Sequence, residues 1–400
     1  MNILFLSIST AISNLENRGI YPDLLREFAD KGHAIFIVCP AERRLKLNTN
    51  LKQSNNVSTL MVQTLNITKT NFLEKGISML LIDHLFKRAV QKHFWDVKFD
   101  LILYATPPIT LNGLIKKLKK KHRAATYLLL KDIFPQNAVD VGMLSKRNPL
   151  YHLFKAKEKK LYEHADFIGC MSPANVNYVI KNNPGISPEK IEVCPNSIAI
   201  IDEKEFDRYE IRKKYNIPDD TFVCIYGGNL GKPQGIDFLL EVLSSNKNRK
   251  DVFFVIAGSG TEAQRIKSFI EAEKPENIIL LAQMPRNEFD QLLSSCDIGL
   301  IFLDKRYTIP NYPSRLLNYL EFTKPVIMAI DRNTDIGKIA EDNNYGMWSE
   351  SGDLVMFNQN LDKLIRNPDL LTKMGKSGYN YLVENYTVEK SYKTIMSHFS

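Results

Sequence analysis

Two hydrophobic rhythms alternate along the chain: short unbroken apolar runs, and longer stretches in which apolar residues return every three or four positions. Asn2 to Ser7 is a run of the first kind, Tyr21 to Lys31 has the second pattern and stops at Gly32, and Ala34 to Cys39 is a run again. Unbroken runs of this length suit strands buried on both faces, and the helical period between them predicts a βαβ unit. Leu101 to Tyr104, Ala125 to Leu130, Phe167 to Met171 and Ile191 to Cys194 read as further strands of one parallel sheet, with helices beginning near Thr110 and Leu150.

After Pro195 the rhythm breaks. Residues 197–219 are polar and charged and end in the turn-forming Pro218-Asp219-Asp220, which reads as a linker. A second series then begins. It predicts strands at Thr221–Tyr226, Val252–Ala257, Ile278–Leu281, Ile298–Phe302 and Pro325–Ala329. Helices are predicted at Ile236–Leu243, Glu262–Ala272, Asn287–Ser295 and Arg315–Phe322, with loops at Gly228–Gly235 and Gly258–Gly260. The expectation is an α/β protein of two Rossmann-like domains, 1–196 and 197–384, with a final helix at about 385–400 returning to the first. Four hundred residues agree with two domains of ordinary size.

Composition narrows the class. Hydrophobic residues make up 44% and charged residues 24%, which excludes a disordered or collagen-like chain. The opening MNILFLSISTAIS lacks a basic leader and a cleavage site, so a first strand explains it better than a signal peptide. With no apolar run long enough to span a bilayer, the pattern predicts a cytoplasmic chain. Five cysteines, Cys39, Cys170, Cys194, Cys224 and Cys296, stand singly in apolar surroundings and read as reduced core thiols.

Charge is lopsided. Residues 1–195 hold 28 Lys and Arg against 16 Asp and Glu, whereas residues 196–400 hold 25 against 29. The basic residues cluster at Lys116 to Arg123 and Lys155 to Lys160, and Phe72 to Phe94 places Ile77, Leu80, Leu81, Leu85, Phe86 and Val90 at helical spacing among basic positions. Two readings stand side by side: peripheral contact with an anionic membrane, and the inward face of an ordinary surface helix. The clusters lack interleaved aromatics, so nucleic acid is not expected as a partner.

Two segments demand glycine for a physical reason. YGGNLGKPQG (Tyr226 to Gly235) and AGSGT (Ala257 to Thr261) each follow a buried strand, where backbone N–H groups can approach an anion at the carboxyl edge of the sheet. Lys232, within the first loop, and Arg315, at the start of a helix after Tyr312-Pro313-Ser314, are the candidate cations for a diphosphate, each weighed against an ordinary solvated side chain. Neither loop is a dinucleotide fingerprint or a P-loop, and no D-x-D, H-E-x-x-H or His/Cys cluster suggests a metal. No metal or other cofactor is expected.

Taken in order, YGGNLGKPQGIDFLL, VFFVIAGSGTE, NIILLAQMPRNEFDQLLSSCDIGLIFL, YPSRLLNYLEFTKPVIMAI and MGKSGYNYLVENYTVEKS resemble glycosyltransferase family 4. The likeness is strongest to its branch of L-fucosamine transferases of O-antigen and capsule synthesis. IYPDLLREFADKGHAIFIVCP, LLLKDIFPQNAVDVGML, FIGCMSPANVNYVI and IEVCPNS extend it over nearly the whole chain.

The resemblance implies a GT-B fold, two Rossmann-like domains facing across a cleft, and a retaining, metal-independent hexosyl transfer. The donor would be a nucleotide-sugar, UDP-linked, and the acceptor a lipid-linked saccharide. It places Gly228, Asn229, Gly231 and Lys232 near the donor phosphates, Gly258 and Gly260 along the nucleotide, Gln283 and Met284 beside the base, and Pro313, Ser314, Arg315 and Leu316 against diphosphate and ribose. On the acceptor side it places the loop Asn17, Arg18 and Gly19. Asp132 is the carboxylate nearest the reacting centre, unless it merely caps the turn at Ile133-Phe134-Pro135. The family's E-x7-E pair is missing: its second Glu falls at Asn318 and its first near Pro310, and the phosphate-loop Arg and Lys are replaced by Asn229 and Gln234. Two further readings stay open on these departures: a catalytically silent homologue that binds within a polysaccharide assembly, and a sugar-nucleotide epimerase of the same fold.

Overall fold

The computed structural model describes every residue except 69, 71, 202–205 and 400, so the middle of the expected linker lies outside the described residues. The chain forms two compact units, Met1–Ala199 with Val388–Ser400, and Ile200–Thr387. The boundaries fall three residues beyond those expected at 196 and 384.

Unit 1 is an eight-stranded sheet in the order β3-β4-β2-β1-β5-β6-β7-β8. Its strands are β1 (Asn2–Leu6), β2 (Ala34–Glu42), β3 (Asn50–Ser54), β4 (Val57–Thr64), β5 (Leu101–Ala105), β6 (Ala125–Leu130), β7 (Phe167–Cys170) and β8 (Ile191–Val193). Every neighbouring pair is parallel except β3 with β4. That hairpin was not anticipated, because β3 reads NLKQS: a polar edge strand bears no apolar run to reveal it.

Helices cover both faces. On one lie α1 (Ile20–Asp30) and the chain's last helix, Val388–Met396; on the other lie α2 (Phe72–His93) and α3 (Asn112–His122), followed by the short α4 (Gln136–Asp140), α5 (Pro149–His164) and α6 (Pro173–Asn182). Ile82, Phe86 and Val90 of α2, Leu114, Ile115 and Leu118 of α3 and Leu161 of α5 are buried in a core with β1, β4, β5 and β6. On the opposite face Leu24, Leu25 and Phe28 of α1 meet Val388 and Ile395 of the terminal helix, whose Tyr392 sets its ring edge-on to Phe28 at 4.9 Å and bonds His33 at 3.0 Å. The terminal helix thus completes the core of unit 1.

Unit 2 is a six-stranded parallel sheet in the order β11-β10-β9-β12-β13-β14. Its strands are β9 (Phe222–Asn229), β10 (Val252–Ser259), β11 (Ile278–Leu281), β12 (Ile298–Phe302), β13 (Val326–Ile330) and β14 (Gly346–Glu350). The helices are α7 (Arg208–Lys214), α8 (Ile236–Asn246), α9 (Ala263–Glu273), α10 (Arg286–Ser294), α11 (Arg315–Glu321), α12 (Ile336–Asp342), α13 (Leu354–Ile365) and α14 (Pro368–Asn385); the terminal helix is α15. Strand order reverses between β9 and β12, so a crevice opens at the carboxyl ends of the central strands.

β9 and β10 run further than expected. Gly228, Asn229, Gly258 and Ser259 are their last residues and pair with one another in register, where loops had been read from the glycines. Arg212 anchors the entry to this sheet. Fully buried, it donates to the carbonyls of Pro218, Asp219 and Thr221 at 3.0 Å each, to Ser295 O at 3.1 Å and to Asp297 at 2.9 Å. A guanidinium taken out of water is tolerable only with its donors satisfied in this way.

Candidate functional site

At the carboxyl edge of the unit 2 sheet lies a cavity of about 710 Å³, within the size range of a small-molecule site. The ends of β9 and β10 form its floor, and the segments after β11 and before α11 form its walls.

The floor is bare because it is glycine. Gly228 has φ of +121°, open to residues without a side chain, and a Cβ on Gly258 would collide with the Gly228 carbonyl. Backbone is therefore the surface a ligand meets there. The ring of Phe289 packs over Gly227, and Tyr319 accepts from the Gly227 N–H at 3.1 Å while donating to Leu300 O at 3.2 Å, which holds the strand end rigid.

Arg315 is the principal charge. Its guanidinium lies over the Tyr226 ring at 4.2 Å and donates through Nη2 to Gln234 Oε1 at 2.6 Å, an acceptor shared with the Tyr226 hydroxyl at 3.3 Å. Nη1 is buried and has no hydrogen-bond partner among the described residues. A buried donor left unmatched costs on the order of 1–3 kcal/mol, so this one is set for an acceptor from outside the protein. Arg286 supplies a second guanidinium. Its Nε donates to Asp290 at 2.7 Å, its Nη2 to Asn318 Oδ1 at 2.8 Å, and Glu321 lies 3.6 Å away. Ser259 donates to Gln283 Oε1 at 3.0 Å along another wall, beside Met284.

Of the expected donor-side residues, the structure brings Gly228, Asn229, Gly258, Gln283, Met284, Pro313, Ser314, Arg315 and Asn318 to this cavity. It does not bring Lys232, Gly231, Gly260 or Leu316. Lys232 is exposed and borders a separate cavity of about 200 Å³ beside Asp237, Glu262, Arg265, Asp304 and Arg306. Lys232 to Gln234 form one 3₁₀ turn, and two residues apart on a helix with three residues per turn point to different sides; Gln234 takes the cavity side. Leu316 is fully buried in the core, turned about 100° from Arg315 on the first turn of α11. Gly260 is a packing glycine: a Cβ there would strike the Leu230 backbone. Gly231 is buried, and a Cβ there would stand 3.0 Å from Asn229 Nδ2. Arg286 was missed in the sequence; it is the first residue of α10, three positions past Gln283 after the end of β11, the one signal that marked it.

No carboxylate lines the cavity among the described residues, and no group of three or more His, Cys, Asp or Glu suited to a metal occurs among them. The chemistry offered is two guanidiniums, strand-end backbone and several amides and hydroxyls: a receptor for an anion with a polar, partly flat body.

In unit 1 the remaining candidates lie at the carboxyl edge of its own sheet. Asp132 follows β6, and its main-chain N–H donates to Thr106 Oγ1 at 3.2 Å. Its side chain accepts from Asn137 Nδ2 at 2.6 Å. Burial pushes this carboxyl up from 3.8 to about 6, against the opposing pull of the Asn137 bond, the Ile133 N–H and the Lys75 charge. Neighbouring Lys131 is pushed down to about 8 by burial and donates to Cys194 O at 2.8 Å. The loop Asn17-Arg18-Gly19 is held by Asp23, which accepts from the Gly19 N–H at 3.0 Å and the Ala199 N–H at 3.1 Å, while Arg18 donates to Ala199 O at 3.3 Å. Asp132 acts on Tyr21, two residues past Gly19, adding to the burial that raises its hydroxyl, so loop and carboxylate share one neighbourhood.

With this geometry in view, similarity to known proteins is informative. The family description "Glycosyl transferases group 1" matches residues 207–381, and "Glycosyltransferase Family 4" matches residues 22–200. The chain belongs to these glycosyltransferases and has the GT-B fold. It is 23% identical to the probable glycosyltransferase WbjE of Pseudomonas aeruginosa over 329 residues, 80% of this chain and 78% of that one. It is 21% identical to the putative colanic acid biosynthesis glycosyl transferase WcaI of Escherichia coli K12 over 249 residues, 61% of this chain and 60% of that one. Its fold resembles that of HepE from Anabaena, solved in complex with UDP, with a TM-score of 0.71 at 14% identity over 100% and 99% of the two chains.

Proposed function

We propose that this glycosyltransferase moves a hexosyl unit, N-acetylated or deoxy, from a UDP-sugar to a hydroxyl of a lipid-linked saccharide in capsule, O-antigen or exopolysaccharide synthesis, with retention and without a metal. The observation that carries the reading is the carboxylate-free cavity in which Arg315 presents a buried, unmatched N–H beside strand-end backbone and Arg286. A diphosphate leaving group needs its growing charge neutralised, and fixed guanidiniums and N–H groups in a site shielded from water do that without reorganising. Magnesium binds through carboxylates, and this cavity supplies none, which supports the metal-free reading. UDP in the HepE structure and the polysaccharide role in the name of WcaI support the donor and the pathway class. The retaining course rests on the family resemblance.

In the step itself the bond between the sugar's anomeric carbon and the phosphate oxygen breaks, and its electron pair leaves on UDP. The acceptor oxygen bonds to the same carbon from the same face. Its proton passes to the departing phosphate oxygen or to Asp132, whose carboxyl, held near 6, is ionised at neutral pH yet basic enough to orient a hydroxyl. Arg315 and Arg286 hold the diphosphate, and Gln283 and Met284 flank the base.

Asn318 in place of the family's second Glu favours the silent-homologue reading as a second possibility. Thermal unfolding in the presence of UDP, GDP, ADP and their sugars, with and without Mg²⁺, tests both. Ligand at 100 times its dissociation constant adds about 2.7 kcal/mol. A shift confined to UDP compounds, unaffected by Mg²⁺ and cut to about 0.4–1.4 kcal/mol in Arg315→Ala, is expected. Absence of any shift refutes the donor site, and a shift without sugar transfer to lipid-linked acceptors selects the silent homologue.

A further inference from the structure

Arg315 is held in its cavity by a neutral side chain. Among the described residues its one hydrogen-bond partner is Gln234, whose Oε1 accepts from Nη2 at 2.6 Å, while the Tyr226 ring supports the guanidinium at 4.2 Å. A guanidinium can only donate, so the amide atom that faces it is the oxygen.

The chain at Gln234 has little freedom. Pro233 fixes its own φ, the Gln234 N–H donates to Gly231 O at 2.9 Å, and Pro233 O accepts from the Asp304 N–H at 3.2 Å. Gly235 follows in the left-handed region at φ of +56°, where a Cβ would stand 2.8 Å from Leu303 O. The turn is thus clamped before and after Gln234, which delivers its amide to one place on the cavity wall. Arg315 has no such restraint of its own. Its long side chain reaches out from the first residue of α11, and fixing so many rotamers costs entropy that a partner has to offset.

The neutrality of that partner matters. A carboxylate in the place of the Gln234 amide would grip the guanidinium harder, cancel most of its charge toward a ligand, and itself repel an anion in the cavity. No carboxylate lines the cavity among the described residues. An amide and an aromatic face instead orient Arg315 and leave its charge whole, and what this orientation presents is the buried, unmatched Nη1.

We propose that Gln234 is a positioning residue: it keeps Arg315 turned to the cavity with its charge undiminished, so that Nη1 meets the anionic group of the ligand. That this group is the diphosphate of a nucleotide-sugar rests on the proposed function; the hold of Gln234 on Arg315 does not. The effect is one of population. An Arg315 that faces the cavity only about a tenth of the time lowers apparent affinity about tenfold, although no contact with the ligand itself is removed.

The test is isothermal titration with UDP and with inorganic pyrophosphate of the full chain and of Gln234→Ala, Gln234→Glu, Arg315→Ala and Gln234→Ala/Arg315→Ala. Gln234→Ala is expected to weaken binding roughly five- to tenfold, and to change it by less than about twofold once Arg315 is already alanine, the mark of a residue that acts through another. Gln234→Glu is expected to melt no lower than the wild type, since an ion pair replaces the neutral bond, and yet to bind at least about thirtyfold more weakly. Wild-type affinity in folded Gln234→Ala or Gln234→Glu overturns the proposal. So does an undiminished effect of Gln234→Ala in the Arg315→Ala background, which would make Gln234 a direct contact of the ligand, and so does a wild type that binds neither probe. Pyrophosphate binding that depends on both residues, with UDP bound no more tightly, supports the role of Gln234 and refutes the nucleotide reading, so the two failures are distinguishable.

Discussion

Asp132→Asn should make the protein more stable at neutral pH and less active. The carboxyl's ordinary value is 3.8 and the fold holds it at about 6, chiefly by burial. The folded state therefore grips this proton more tightly than the unfolded state does. As pH rises from 4 to 6 the proton is stripped from an environment that resists the charge, and folding loses free energy; above 6 the whole penalty is present. Two pH units are worth at most about 3 kcal/mol, and partial contact with water lowers that to roughly 1–2 kcal/mol. Asparagine keeps the shape, removes the charge and can still accept from Asn137, whose donor lies 2.6 Å away. For a unit of this size the gain is roughly 2–8 °C in Tm at pH 7.5, vanishing near pH 3.5 where the wild-type carboxyl is itself protonated. Differential scanning fluorimetry across that range reads it directly. A variant that melts at or below the wild type at pH 7.5, or gains equally at both pH values, refutes the argument that burial sets this carboxyl. Should sugar transfer fall while Tm rises, Asp132 is a group kept for function at the expense of stability.

The donor cavity makes its own predictions. Lys232→Ala should leave UDP affinity within about twofold, because the side chain is turned to the other cavity, whereas Arg315→Ala should lower it by roughly 10- to 100-fold, the range of a charge-assisted pair; isothermal titration distinguishes them. Asn318→Ala frees Arg286 from its 2.8 Å bond and should weaken UDP binding several-fold while leaving the melting temperature nearly unchanged. Gly258→Ala forces a methyl against the Gly228 carbonyl and should cost about 2–4 kcal/mol in urea unfolding, with loss of nucleotide binding even in the folded fraction.

Much of this molecule is legible in its residue order. Buried parallel strands have to be continuous apolar runs, so β5, β6, β11 and β12 appear in the sequence within a residue of their true limits, and the glycines at 228 and 258 point to the sheet edge where the cavity opens. Those signals are local: period, β-branching and the missing Cβ act through the chain's immediate neighbours. The polar β3 escaped that reading, since an edge strand needs no apolar run, whereas the return of the last helix to unit 1 was expected and α15 makes it.

The site divides along the same line. The family resemblance put Arg315, Gln283 and Asn318 together on the donor side, but two positions along one turn separate a cavity-lining residue from a solvated one, and only the three-dimensional path could decide it. The 3₁₀ turn sends Gln234 inward and Lys232 outward, the first turn of α11 buries Leu316 while presenting Arg315, and Asn318 holds Arg286 across 32 positions of chain. Sequence determines which groups are available within a few residues of a strand end. Tertiary packing decides which of them shed water and face each other, because burial and charge pairing depend on atoms distant in the chain.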